Sequence, residues 1–157
     1  MVVFGLMSSI QNYLDKIKAE FATGRAREHS YRPALKDLLE AVNSKILATN
    51  EPAREKCGAP DFVITDKNNI PRGYIEAKDI TIGILDKPEN QKQIKKYFDG
   101  ELGYNFLHTD NLEFRFYRDG ERVETVVIGK LENNTLIENP ENFEKLFNLS
   151  WANNQFF

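Results

Sequence analysis

Apolar residues recur at helical spacing from Ser8 to Phe21, where Ile10, Tyr13, Leu14, Ile17 and Phe21 are separated by Asp, Lys and Glu. That period predicts an amphipathic helix with Ser8 or Ser9 as its cap and Gly24 as its stop. A second helix is expected from about Ser30 to Val42. Ser30 caps it, Pro33 sits in the first turn, and Leu35, Leu38, Leu39 and Val42 form its buried stripe. Lys45 to Glu51 passes from apolar to polar and reads as a first strand. Phe62 to Thr65 is β-branched and aromatic, Asp66 to Asn69 supplies turn residues, and Pro71 and Gly73 bound a partner strand that runs to Lys78. A helix from about Glu89 to Phe98 follows, ending at Gly100. Strands are expected over Tyr104 to Thr109, Leu112 to Arg118 and Val123 to Ile128, the last two joined by the two-residue hairpin signal Asp119-Gly120. Asn133-Asn134 marks a further turn before Thr135 to Ile137, and Asn142 to Leu149 reads as a closing helix. Phe114, Phe116 and Tyr117 are expected in the core. The pattern is that of an α/β fold with an antiparallel extension from about Tyr104 to Ile137.

Composition narrows this little. At 157 residues, 41% hydrophobic and 29% charged, the chain is an ordinary globular domain able to bury its own core. No apolar run approaches the length of a membrane span, and the apolar opening Met1 to Met7 lacks the basic flank and length of a signal segment. Cys57 is the single cysteine, so no internal disulfide forms and a cytoplasmic location is expected. Trp151 and Phe156-Phe157 form an apolar tail that suggests docking onto, or continuation into, something larger. The net charge of −3 is not the footprint of a protein that grips nucleic acid by bulk charge.

The chemistry gathers in the hairpin. Side chains alternate along a strand, so Glu76 and Lys78 share one face while Ile75 and Ala77 share the other. Pairing the two strands brings Asp61 beside that polar pair. Two carboxylates and an ammonium in a small space suit a hard divalent cation and phosphodiester hydrolysis. Other chemistries lack their signatures. The chain has no Gly-rich phosphate loop, no Cys/His zinc spacing, and no second histidine close to His29 or His108 in sequence.

Pro60-Asp61 followed by Glu76-Ala77-Lys78 resembles the signature of the PD-(D/E)xK nuclease superfamily. Gly58-Ala59 before the first part and Tyr74-Ile75 before the second resemble, more closely, the nuclease domain at the N-terminus of fused restriction–modification enzymes, in which an adenine DNA methyltransferase follows. The resemblance covers roughly Glu28 to Tyr117. It implies a restriction-endonuclease-like core of order αβββαβ, with a mixed sheet flanked by helices. The division expected is an N-terminal helix and connector over residues 1–27, a catalytic core over 28–109, and a β extension with closing helix over 110–157, all one nuclease domain. It also implies a Mg2+-dependent DNA endonuclease, with Mn2+ as substitute, in which Asp61, Glu76 and the Ala77 carbonyl hold the metal and Lys78 stabilises developing charge. Asn139-Pro140-Glu141-Asn142 does not match the Asn-Pro-Pro-aromatic motif of adenine methyltransferases, so a methyltransferase or specificity part would be a partner domain or subunit. A dimer is one way to cut both strands. The competing reading is the same fold without catalysis, as a DNA-docking or scaffold module.

Further residues join by position. Glu28 matches the place where the superfamily often carries an extra acidic residue, and equally suits a helix N-terminus; Glu40 competes with it but is expected to face solvent. Gln93 and Tyr97, four apart on one helix face, resemble a third motif of the recombination-exonuclease branch. Lys92, Lys95 and Lys96 make that helix the most basic stretch, suited with Tyr97 to contact DNA. Arg54 and Lys56, in the loop after the first strand, are DNA-facing by the same resemblance, or a charged surface turn. Arg25 and Arg27 are either phosphate contacts or solvated.

Overall fold

The computed structural model describes residues 2–50 and 58–150. Helix α1 (Val2–Ala22) buries Ile10, Tyr13, Leu14 and Ile17, and Gly24 ends the turn beyond it with φ +68°. The helix begins earlier than Ser8, because nothing in the preceding residues breaks it; the Ser9 hydroxyl bonds back to the Gly5 carbonyl and is no cap. A 3-10 turn, Glu28–Tyr31, leads into α2 (Arg32–Val42), whose buried face is Ala34, Leu35, Leu38 and Leu39. Strands β1 (Ile46–Asn50), β2 (Phe62–Asp66) and β3 (Pro71–Ala77) form an antiparallel meander. Glu40 does not face solvent as expected. Its Oε1 accepts the Ala48 N–H at 3.1 Å, and Lys36 donates to the Ala48 carbonyl at 2.6 Å, so this pair ties α2 to the edge strand.

Helix α3 (Pro88–Asp99) crosses over to β4 (Phe106–Thr109), which lies parallel to β3. Strands β5 (Glu113–Arg118) and β6 (Glu121–Val127) complete a six-stranded sheet in spatial order β1 to β6. Within the segment after Tyr104, β4, β5 and β6 pair antiparallel as expected, and the parallel β3–β4 pair makes the whole sheet mixed, as the resemblance implied. Periodicity locates a strand but carries no information about its direction, and the helical crossover decides it. Asp119 and Gly120 take φ 51° and 79°, the two positive angles of a tight hairpin turn. Beyond the sheet, β7 (Gly129–Glu132) pairs with β8 (Thr135–Glu138) around Asn133-Asn134, and α4 (Phe143–Ser150) closes the described chain.

Each strand sends alternate side chains to two different layers. On one face Phe62, Ile64, Ile75, Ala77, Leu107, Phe114 and Phe116 pack against α1, α2 and α4. On the other, Tyr74, Phe106 and Tyr117 pack under Ile94 and Tyr97 of α3. Phe114, Phe116 and Tyr117 are buried as expected, although Tyr117 serves the second layer. The polar cluster described next sits on the α3 side, where this second core gives way at the end of β3.

Candidate active site

Register builds the site. Phe62 pairs with Ile75 across β2 and β3, so Asp61, one residue before, meets Glu76. The Asp61 N–H donates to Glu76 Oε2 at 3.2 Å, and the Ala77 N–H donates to Asp61 Oδ2 at 2.8 Å. Lys78 follows on the same face as Glu76, while Ile75 and Ala77 are sealed in the opposite core. Its Nζ donates to Glu76 Oε1 at 3.1 Å and to Gln93 Oε1 at 2.6 Å. Gln93 passes the chain on from Nε2 to the Tyr97 hydroxyl (3.2 Å), which itself donates to the Ala59 carbonyl at 3.2 Å. Helix α3 thus reaches both the end of β3 and the turn that precedes Asp61.

The end of β3 is anchored from beneath. The Lys78 N–H donates to the Thr109 carbonyl at 2.8 Å, and Asn111 Nδ2 donates to the Lys78 carbonyl at 3.0 Å. Asn111, itself at φ 77°, receives the buried Tyr13 hydroxyl on its carbonyl at 2.7 Å. Three elements therefore fix where Lys78 leaves the sheet.

Arg32, at the start of α2, was not singled out by the sequence reading. It is 5% exposed, and its Nη2 pairs with Asp61 Oδ1 and with Glu28 Oε1, the latter at 3.4 Å. Glu28 therefore reaches the cluster through Arg32. Among the described residues no group of three or more His, Cys, Asp or Glu side chains gathers as a metal cage. Two hard carboxylates fit a cation that binds one or two carboxylates and keeps several waters, as Mg2+ does. A second unexpected neighbour is His108. It lies across from Glu76 in the parallel register and opposite Arg115, is fully buried, and among the described residues has no hydrogen-bond partner on either ring nitrogen. Burial, reinforced by the charges of Lys78 and Arg115, pushes its pKa down to about 3, so the ring is neutral. Arg115 is held by a two-pronged pair to Asp86, at 2.7 and 2.9 Å.

The two carboxylates resist ionisation. Burial, and then the charge of Asp61, raise the Glu76 pKa from 4.5 to about 7. Burial likewise raises Asp61, against the opposing pull of the Ala77 N–H and Arg32. The linkage has a definite sign. With no metal bound, the folded protein holds the Glu76 proton more tightly than the unfolded chain, so stability declines as pH rises from 4.5 through 7. Measured against Glu76→Gln, which cannot ionise, wild type in a chelator should lose about 3 kcal/mol across that interval. Denaturant unfolding at pH 4.5 and pH 8 checks this, and a pH-independent difference between the two proteins contradicts it.

The remaining sequence-selected residues divide plainly. Lys92, Lys95 and Lys96 are exposed on α3, and Lys95 pairs with Asp99 at 2.6 Å. Tyr97 is 3% exposed, so it positions Gln93 and the Ala59 turn from inside and is not placed to touch DNA. Arg54, Lys56 and Cys57, with the tail carrying Trp151, Phe156 and Phe157, lie outside the described residues. Among those described, no helix is long and apolar enough to cross a membrane.

No protein-family model and no curated protein matches the sequence. Among solved structures, a cryo-EM structure of a DrdV–DNA complex is similar. The alignment has 25% identity, covers 94% of this chain and 96% of that one, and gives a TM-score of 0.68. Taken with the mixed sheet, its single parallel pair and the flanking helices, this likeness gives the chain a restriction-endonuclease-like α/β fold.

Proposed function

We propose that the chain is a Mg2+-dependent DNA endonuclease, the cleavage part of a restriction–modification system. The observation that carries this reading is the convergence of Asp61, Glu76 and Lys78 at one strand end, with Glu76 and Lys78 buried and hydrogen-bonded. A fold shared with a protein solved on DNA supports DNA as the substrate.

Asp61 and Glu76 would hold the metal, with the Ala77 carbonyl as a further oxygen. The ion would lower the pKa of an attacking water and offset charge on the phosphate. The chain's own residues do the rest. Lys78, a point charge preset by Glu76 and Gln93, suits a non-bridging phosphate oxygen and stabilises charge as it develops there. Gln93 orients the Lys78 ammonium, and Tyr97 ties Gln93 to the Ala59 carbonyl just before Asp61. Lys92 and Lys96, exposed on α3, give backbone phosphates a landing surface, and Arg54 and Lys56, outside the described residues, are the further cations expected to contact DNA. Water oxygen attacks phosphorus in line with the bond to O3′. That bond breaks, O3′ takes up a proton, and the products are a 5′-phosphate and a 3′-hydroxyl. With a net charge of −3, the domain relies on a methyltransferase or specificity partner for its target.

Incubating DNA with the protein in Mg2+ and in chelator tests the reading. Chelator-sensitive cleavage leaving 5′-phosphate ends is expected. Metal-independent cleavage, or 3′-phosphate ends, would refute it.

A further inference from the structure

Resting on that nuclease reading, we infer that Arg32 is a positioning residue standing where a second metal ion would sit, which makes this a one-metal site. Asp61 Oδ2 accepts only the Ala77 N–H at 2.8 Å and keeps a second lone pair for one ion, whereas Oδ1 is taken by the Arg32 guanidinium. Glu28, the remaining acidic group of the cluster, also turns its Oε1 to Arg32. A second ion bridged by Asp61 would need the oxygens that Arg32 already holds.

Charge leads to the same conclusion. Three carboxylates (Glu28, Asp61 and Glu76) face two fixed cations, Arg32 and Lys78, which leaves one net negative charge. One divalent ion with one phosphodiester brings the loaded cluster to neutrality. A second divalent ion would leave two positive charges in a largely buried site, where uncompensated charge is costly. Arg32 is also hard to displace. It is 5% exposed and rooted in the first turn of α2 beside Pro33. Its planar fork is preorganised for carboxylates in a way that a lysine is not.

Counting Mn2+ on the full chain by equilibrium binding and electron paramagnetic resonance tests this without using activity. Wild type is expected to bind one Mn2+ with the six-line spectrum of an isolated ion. Arg32→Lys, which keeps the charge, is expected to do the same. Arg32→Met frees Asp61 Oδ1 and Glu28 Oε1 together, and is expected to bind a second Mn2+ and show the spin-coupled spectrum of ions about 3.5–4 Å apart. Two coupled ions on wild type overturn the inference while leaving the nuclease reading intact. So does a folded Arg32→Met variant that still binds one. Should that variant fail to fold, the wild-type and Arg32→Lys counts decide. No Mn2+ on wild type overturns the nuclease reading, and this inference with it.

Discussion

Asp61→Ala is expected to lose measurable Mn2+ binding and to slow DNA cleavage by at least about 10²- to 10³-fold, the loss typical of removing one preorganised electrostatic contact. The expectation follows from how many lines meet at this carboxylate. It adjoins Glu76 through its own N–H, accepts the Ala77 N–H, and pairs with Arg32. Removing it takes one of the two carboxylates of the proposed metal site. The fold should survive, because Asp61 precedes β2 and the core beneath is built by Phe62 and Ile64, which the substitution leaves alone. Calorimetric titration with Mn2+, beside a thermal melt of the same sample, separates loss of metal from loss of fold. A variant that stays folded and binds Mn2+ as wild type does would remove Asp61 from the site.

Arg32→Met should carry the largest stability cost of any single substitution in the cluster, about 3–5 kcal/mol at pH 8 without metal, the usual consequence of leaving one partner of a buried ion pair charged and alone. Glu28 is half-buried and can turn to water, so the cost falls on Asp61, whose side chain is 11% exposed. The cost should shrink toward pH 5. Asp61 already ionises less readily than an ordinary aspartate because of burial, and without Arg32 it takes up a proton more easily still. Pairing the change with Asp61→Asn removes the stranded charge and should recover more than half of the loss. Denaturant unfolding of the two single variants and the double variant measures the coupling. A double variant less stable than Arg32→Met alone contradicts this assignment of the cost.

The hairpin that carries Asp61, Glu76 and Lys78 was legible because strand alternation is a local rule. Ile75 and Ala77 had to share one face and Glu76 and Lys78 the other, and Asp61 could be placed by pairing alone. Gln93 and Tyr97 were legible from a motif resemblance, with helical spacing placing both on one face, and the Asp119-Gly120 turn from its residues. What escaped depended on neighbours distant in sequence. Arg32 stands four residues after the already expected Glu28, the spacing of a helical ion pair, yet only the approach of Asp61, twenty-nine positions later, makes Arg32 part of a site. His108 in an apolar strand reads as core. Its place beside Glu76 comes from the parallel pairing of β3 with β4, which side-chain periodicity does not encode. Strand β7 was missed because Gly129 and Lys130 break the apolar pattern; Gly129 packs so closely against the Ile137 carbonyl that an added Cβ would lie 3.2 Å from it.

The central claim is that Asp61, Glu76 and Lys78 form a working phosphodiesterase centre, and conversion of supercoiled plasmid in Mg2+ by wild type and by Lys78→Ala tests it most directly. Lys78 is tied to Glu76 and Gln93, and the β3 end is anchored through backbone groups that the substitution retains, so the variant should remain folded. The account predicts that wild type nicks or linearises the plasmid, and that Lys78→Ala, equally folded, leaves it supercoiled. Equal cleavage by both proteins, sensitive to chelator in each, would contradict it.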